Sequence, residues 1–238
     1  MSTKKRILLK ITGEAFLAPS DQTLSATLIN SLVAQIKQLS ATHQFGLVVG
    51  GGNFFRGRIH GPRLGMTPSV AHQVGMLSTM MNGLILKDLL EQHGLNTAIF
   101  SAITCPQVGS PVSQQAIDAA VADGQTTIFT GGTGNPFFTT DTTAVLRGLQ
   151  IVADQIWKGT KVDGIYTADP IKDKTAQRLP RVTYTQALDM QLKIMDSTAL
   201  ALAQAHHQTI RVFDIFSEHA LLHAAEDNNF GSIIQNSF

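Results

Sequence analysis

Two short segments of the chain place glycine and a basic residue directly after an apolar run. Lys10 ends the first run and is followed by Gly13, and the second run leads into Gly50–Gly52, with Arg56 four residues further on. Glycines let backbone N–H groups approach an anion closely, and a basic side chain adds positive charge. Both segments indicate phosphate binding. The alternatives are a surface lysine in a strand–helix turn and a flexible glycine turn.

Two later segments have a higher density of polar groups. Residues 131–141 combine glycines, threonine hydroxyls and an acidic side chain at the start of a predicted helix. A helix N-terminus attracts phosphate, although Thr140 and Asp141 are also suited to plain helix capping. Residues 158–170 add two lysines, two aspartates and Tyr166, whose ring can stack on a base. A solvated loop with incidental ion pairs is the other interpretation of this segment.

These loops lie between apolar runs and amphipathic segments that alternate along the chain. The runs are short and show little polar alternation, which is typical of strands buried on both faces of a parallel sheet. The predicted strands are 6–11, 45–49, 96–101, 126–130, 152–157 and 209–215, and the predicted helices are 25–40, 69–92, 114–122, 142–150, 196–207 and 218–226. This order predicts an open α/β sheet, whose ligands bind beyond the carboxyl ends of the strands.

The composition argues against several classes of protein. The 238 residues include 18 basic and 17 acidic side chains, which argues against a nucleic-acid-binding surface or a polybasic membrane anchor. The single cysteine, Cys105, excludes an intramolecular disulfide framework and a thiolate zinc site. No run approaches the roughly 20 apolar residues of a membrane span. The motifs of P-loop ATPases, dinucleotide-binding proteins and protein kinases are absent from the sequence. We therefore expect a cytoplasmic globular protein.

Taken in order, the four loops resemble those of the bacterial UMP kinases of the amino-acid-kinase superfamily, from Arg6 to about Ile234. The resemblance implies a three-layer αβα sandwich of the carbamate-kinase type with an open, mainly parallel sheet. It implies one domain over 1–238, with UMP-side loops mostly in 1–150 and ATP-side loops mostly in 151–238. It also implies a homohexamer that transfers the γ-phosphoryl group of ATP to UMP for pyrimidine nucleotide synthesis. Mg²⁺ would be carried by the ATP phosphates, with no metal site formed by the protein.

The resemblance also assigns roles to particular residues. It implies that ATP is bound by Lys10, Ile11, Thr12, Gly13, Gly52, Arg56, Thr160, Tyr166 and Asp169. It implies that UMP is bound by Gly51, His72, Thr133, Gly134, Asn135, Pro136, Phe137, Phe138, Thr139 and Thr140. The implied catalytic residues are Lys10, Arg56, Asp141 and Asp196. We expect the two aspartates to organise Lys10 or the metal; helix capping is the alternative for both.

The chain departs from the family pattern at two places. His72 stands where the family usually has an aspartate that contacts the ribose of UMP, and a histidine would bind a hydroxyl differently from a carboxylate. Lys87, Glu91 and Thr126 stand at the positions through which GTP activates many relatives. We therefore predict weak or absent activation by GTP.

Three other functions are compatible with parts of this pattern. Related kinases phosphorylate carbamate, aspartate, glutamate or acetylglutamate, but we do not expect them to share the loop at 135–141. Molybdenum or tungsten storage proteins resemble UMP kinases and bind ATP. The third function is that of a nucleotide sensor that binds UMP without turnover. The presence of His72 at the usual aspartate position suggests it. Separately, the apolar helix at 69–92 predicts a contact between subunits.

Overall fold

The computed structural model of the chain describes residues 4–18, 20 and 23–238. In these ranges the strands, in chain order, are β1 (Lys5–Ile11), β2 (His43–Val49), β3 (Thr97–Ser101), β4 (Ser110–Pro111), β5 (Thr126–Thr130), β6 (Gln155–Thr160), β7 (Ile165–Tyr166), β8 (Arg178–Leu179), β9 (Arg181–Thr183), β10 (Ile210–Asp214) and β11 (Ser232–Gln235). The helices are α1 (Thr27–Leu39), α2 (Gly57–Arg63), α3 (Pro68–Gln92), α4 (Gln114–Ala122), α5 (Thr140–Gln150), α6 (Tyr184–Asp189), α7 (Ser197–Ala205) and α8 (Ala220–Glu226). A 3-10 turn, Gly13–Phe16, follows β1.

Nine strands form one open sheet in the order β4-β3-β5-β2-β1-β6-β10-β11-β9. Every pairing in this sheet is parallel except that of β10 with β11. The strands β7 and β8 form a separate antiparallel ribbon. The predicted open and mainly parallel sheet is therefore confirmed, with β1 between β2 and β6 at its centre.

The central strand contributes side chains to two apolar cores. Ile7, Leu9 and Ile11 pack with residues of α1, α3 and α8. Leu8 points to the opposite face and packs with residues of α4, α5 and α7. All four side chains are fully buried. Helices therefore cover both faces of the sheet, which explains the continuous apolar runs and gives the expected three-layer arrangement.

One predicted strand begins too early. The prediction for 152–157 started at Val152, but this residue lies in the turn after α5 with a φ of 53° and is 72% exposed. Its apolar side chain is typical of a strand, but its backbone is in the left-handed conformation of a turn. The strand β6 begins at Gln155 and continues to Thr160, so that Lys158 lies inside the sheet.

Several elements were not predicted. The helix α2 lies in the glycine- and proline-rich stretch at 50–65, where the residue types disfavour a helix. Packing on α3 explains it, because a Cβ atom on Gly61 would lie 2.7 Å from the Cβ atom of Ala71. The elements β4, β7, β8, β9, β11 and α6 are too short to give a periodic signal in the sequence.

The longest helix, α3, has apolar side chains on more than one face. Met80, Leu86 and Leu90 are buried against the sheet. A second set remains uncovered, with between 36% and 51% of each residue exposed: Val70, Leu77, Met81, Leu84 and Ile85. Among the described residues, no helix is both long enough and apolar enough to cross a lipid bilayer. An exposed apolar patch of this kind is typical of a surface that contacts another molecule.

Candidate active site

Adjacent strands bring two lysines together at the centre of the sheet. Lys10 in β1 is opposite Lys158 in β6 in the parallel register. Asp141, in the first turn of α5, lies between their ammonium groups. Its Oδ1 is 3.3 Å from Lys10 Nζ, and its Oδ2 is 2.5 Å from Lys158 Nζ. We call these three residues the buried row, because each side chain is at most 15% exposed.

Burial and charge oppose each other in the buried row. Burial disfavours the ionised carboxylate, but the two lysines outweigh this effect and hold the pKa of Asp141 below its usual value. Burial also lowers the pKa of Lys158, against the attraction of Asp141. With both lysines protonated the row has a net charge of +1. One positive charge is therefore available to an anionic ligand.

Lys10 faces a cavity of about 430 Å³, which we call the first cavity. The glycine segments after β1 and β2 form part of its wall, and the loop before α5 forms another part. The predicted site residues that line it are Lys10, Thr12, Gly13, Gly51, Gly52, Arg56, His72, Thr133, Asn135, Phe138, Thr139 and Thr140. Three loops that are far apart in the sequence thus meet around one space.

Besides Asp141, four predicted residues in the segments 10–13 and 131–141 do not line this cavity. The side chain of Ile11 is fully buried in the core, so only its backbone is available. Gly134 has a φ of 83° and closes a turn inside the loop before α5. Pro136 and Phe137 belong to the same loop without lining the cavity. The last three of these residues shape the loop before α5, and Ile11 belongs to the core.

His72 and Phe137 form an aromatic pair beside the first cavity. The centroids of their rings are 5.2 Å apart. Phe137 has a φ of 73°, an uncommon conformation for a bulky residue, and is 65% exposed. Of the two, His72 lines the cavity. His72 therefore faces the cavity, and the pair gives its ring one defined neighbour.

The glycine segments approach each other at backbone distance. A Cβ atom on Gly13 would lie 2.7 Å from the backbone nitrogen of Gly52, so a side chain there would clash. Asn82, which is fully buried in α3, donates to the carbonyl oxygen of Gly50 at 2.6 Å and to Oδ1 of Asn53 at 2.7 Å. Sequence reasoning missed Asn82. Its signal was an amide within a long, largely apolar helix, where a buried polar group needs partners.

Asp196 contacts helix termini and hydroxyl groups. It caps α7 by accepting from the backbone N–H of Ala199 at 3.0 Å. It also accepts from the hydroxyl groups of Thr139 at 2.5 Å and Thr142 at 2.9 Å, both at the start of α5. The carboxylate that contacts Lys10 is that of Asp141. The contacts of Asp196 fix the N-terminus of α5, and so the place of Asp141.

A second cavity of about 460 Å³ lies at the Lys158 end of the buried row. Lys158 lines it, together with Thr160, Tyr166 and Asp169, the three residues predicted for the adenosine portion. The hydroxyl of Tyr166 donates to Asp163 at 2.7 Å. Each end of the buried row therefore faces its own cavity. A third cavity, about 510 Å³, shares Lys158 and residues 191–194 with the second.

Sequence reasoning placed Lys158 in the loop at 158–170 without giving it a role, and it gave none to Glu14. Lys158 interrupts an apolar strand as Lys10 does, and that parallel was the available signal. Glu14 was quoted only as part of a loop, yet it forms ion pairs with Arg56 and with Lys161. Within the described residues, no group of three or more His, Cys, Asp or Glu side chains is arranged to hold a metal ion.

Comparisons with known proteins agree with this architecture. The profile of the amino acid kinase family matches residues 5–214. The uridylate kinase of Saccharophagus degradans is 40% identical over 232 residues, which is 97% of this chain and 94% of that protein. The uridylate kinase of Mycoplasma pneumoniae is 39% identical over 97% of this chain and 98% of its own length.

Solved structures give the same result. The UMP kinase of Ureaplasma parvum matches with a TM-score of 0.93 and 36% identity, over 99% of this chain and all of that one. The UMP kinase of Bacillus anthracis matches with a TM-score of 0.92 and 26% identity, over 98% of this chain and 97% of that one. The chain therefore belongs to the amino acid kinase family and, within it, to the uridylate kinases.

Proposed function

We propose that the chain transfers the γ-phosphoryl group of ATP to UMP, giving ADP and UDP. The observation that carries the proposal is the buried row, whose Lys10 lines the first cavity and whose Lys158 lines the second. Phosphoryl transfer between two nucleotides requires positive charge where two binding sites meet, and little covalent chemistry from the protein. The names of the similar uridylate kinases support UMP as the acceptor.

We assign UMP to the first cavity and ATP to the second. Gly51 would lie near the UMP phosphate, and His72 and the loop at 133–140 near its nucleoside. Thr160, Tyr166 and Asp169 would hold the adenosine portion of ATP. The ATP phosphates would extend past Lys10, Gly52 and Arg56 towards the acceptor. In this assignment residues 1–238 act as one domain, with UMP-side loops mostly before residue 150.

The chemistry follows from the charges. Lys10 and Lys158 would offset the negative charge that develops on the transferring group, and Asp141 would hold both in place. The attacking oxygen of UMP is already ionised near neutral pH, because the second pKa of a phosphate monoester is about 6. A general base is therefore not required. Asp141 and Asp196 have positioning tasks in this mechanism.

Mg²⁺ would enter with ATP and supply further charge neutralisation at its phosphates. The carboxylates of the site fit this arrangement. Asp141 is engaged by two lysines, and Asp196 by two threonine hydroxyls and a backbone N–H group. The ion would thus rely on phosphate oxygens and water for most of its ligands.

The uncovered apolar side chains of α3 support self-association, and we propose a homohexamer in the cytoplasm that serves pyrimidine nucleotide synthesis. A contiguous apolar surface on one helix is stabilised when a second subunit covers it. The face consists of Val70, Leu77, Met81, Leu84 and Ile85.

The first prediction concerns the acceptor. Purified protein with ATP and Mg²⁺ should convert UMP to UDP at least about tenfold faster than CMP, dTMP, AMP or GMP, because hydrogen-bond recognition of a base discriminates strongly. Chromatographic separation of the nucleotides measures this. Absence of any diphosphate product while ATP still binds would contradict the proposal and favour a storage or sensor role.

The second prediction concerns His72. Replacement His72→Asp should lower KM for UMP by about tenfold, because a carboxylate accepts two hydroxyl hydrogen bonds and a neutral imidazole only one. Gln73→Asp is the matched control, since Gln73 is the exposed neighbour on α3 and does not line the cavity. An unchanged KM for UMP in His72→Asp would place His72 away from the ribose.

The third prediction concerns assembly. Light scattering at micromolar concentration should give a mass several times 25.6 kDa. Met81→Glu should reduce it, because a charge would have to be buried in the subunit contact. Leu64→Glu, at an exposed apolar position outside α3, should leave the mass unchanged. A monomeric wild-type protein would rule out the proposed contact.

A further inference from the structure

A second alternation of cation, carboxylate and cation lies beyond the ends of the three central strands β2, β1 and β6. Glu14 lies in the 3-10 turn after β1, Arg56 follows β2, and Lys161 is the first residue after β6. Because β1 lies between β2 and β6, the carboxylate has a cation on each side. Glu14 Oε1 pairs with Arg56 Nη2, and Glu14 Oε2 is 2.8 Å from Lys161 Nζ. We call these three residues the outer row.

The outer row joins the walls of the two cavities. Glu14 and Arg56 line the first cavity, and the two neighbours of Lys161, Thr160 and Val162, line the second. The side chain of Glu14 is only 19% exposed, whereas those of Arg56 and Lys161 are 44% and 57% exposed. The carboxylate is therefore the more buried member, and the two long cationic side chains reach it from the solvent side.

The charge of Glu14 is maintained in this setting. Burial raises its pKa, but the pairs with Lys161 and Arg56 outweigh burial and hold the pKa below its usual value. Ion pairs with partners this exposed add little to folding stability. Their main effect is to restrict two side chains that would otherwise sample many rotamers. The arrangement is thus better explained by placement of charge than by stability.

We propose that Glu14 is a positioning residue that holds Arg56 and Lys161 at the boundary between the two cavities. This inference rests on the proposed function, since it takes both cavities to receive nucleotide phosphates. The Nε of Arg56 also donates to the carbonyl oxygen of Gly52 at 3.1 Å, so the guanidinium is held from two sides. Charges that are in place before the reaction lower its barrier, because no reorganisation is needed in the transition state.

A change of charge without a change of shape, Glu14→Gln, separates binding from catalysis. Arg56 and Lys161 would still attract phosphate, and one nearby negative charge would be gone, so nucleotide binding should not weaken. Their placement in the transition state would be lost. We expect kcat to fall about tenfold, while KM for ATP and for UMP stays the same or falls by up to about threefold.

Steady-state kinetics of the full chain with ATP and UMP test this expectation. The matched control is Glu91→Gln, because Glu91 is ion-paired to Lys87 but lines neither cavity. The control should retain the wild-type kcat and KM. An unchanged kcat in Glu14→Gln, or a lower kcat with a raised KM, would overturn the positioning role. A wild-type protein that does not phosphorylate UMP would overturn the proposed function, and this inference with it.

The variant Lys161→Met supplies an independent test. It keeps the inference testable even if Glu14→Gln does not fold. Lys161 is more than half exposed, so its replacement should leave the thermal unfolding temperature unchanged. We expect a lower kcat, together with an unchanged or raised KM for ATP because one cation that attracts phosphate is gone. The loss in the double variant should be smaller than the product of the two single losses, because both changes remove the same contact. Fully multiplicative losses, or an unchanged kcat in Lys161→Met, would overturn the inference.

Discussion

The position of Asp141 between Lys10 and Lys158 is the constraint on which the rest of the site depends. The parallel register of β1 and β6 places the two lysines side by side, with most of each side chain buried. Two buried ammonium groups repel each other, and a carboxylate between them offsets this repulsion by attracting both. The N-terminus of α5, which carries Asp141, must therefore lie next to the two lysines. Asp196 secures it there by accepting hydrogen bonds from the first turn of α5 and from α7.

The two cavities follow from this arrangement. Glycines 13 and 52 let the loops after β1 and β2 approach at backbone distance, so the first cavity closes around the Lys10 end of the row. The loop after β6 and residues 191–194 enclose the Lys158 end. The outer row repeats the same alternation of charge nearer the solvent. In the proposed transfer between the two cavities, the phosphoryl group would meet fixed positive charge along its path.

The sequence predicted the sheet, its long helices and most loop residues of the first cavity, because buried strands and glycine-rich loops leave local patterns. It failed where a feature arises only from tertiary contact. Lys158 was placed in a loop and given no role, because β6 was predicted three residues too early. Val152 gave an apolar signal although it lies in a turn. Glu14 and Asn82 acquire their partners from distant parts of the chain. The helix α2 forms on α3 despite its glycines.

The most direct test of the central claim is the kinetics of Asp141→Asn, which keeps the shape of the side chain and removes the charge between the lysines. We expect kcat to fall by about a hundredfold, as for the loss of a preorganised electrostatic contact, while KM for UMP changes by less than about threefold. Circular dichroism would establish that the variant is folded. A folded variant with kcat within about twofold of wild type would contradict the account.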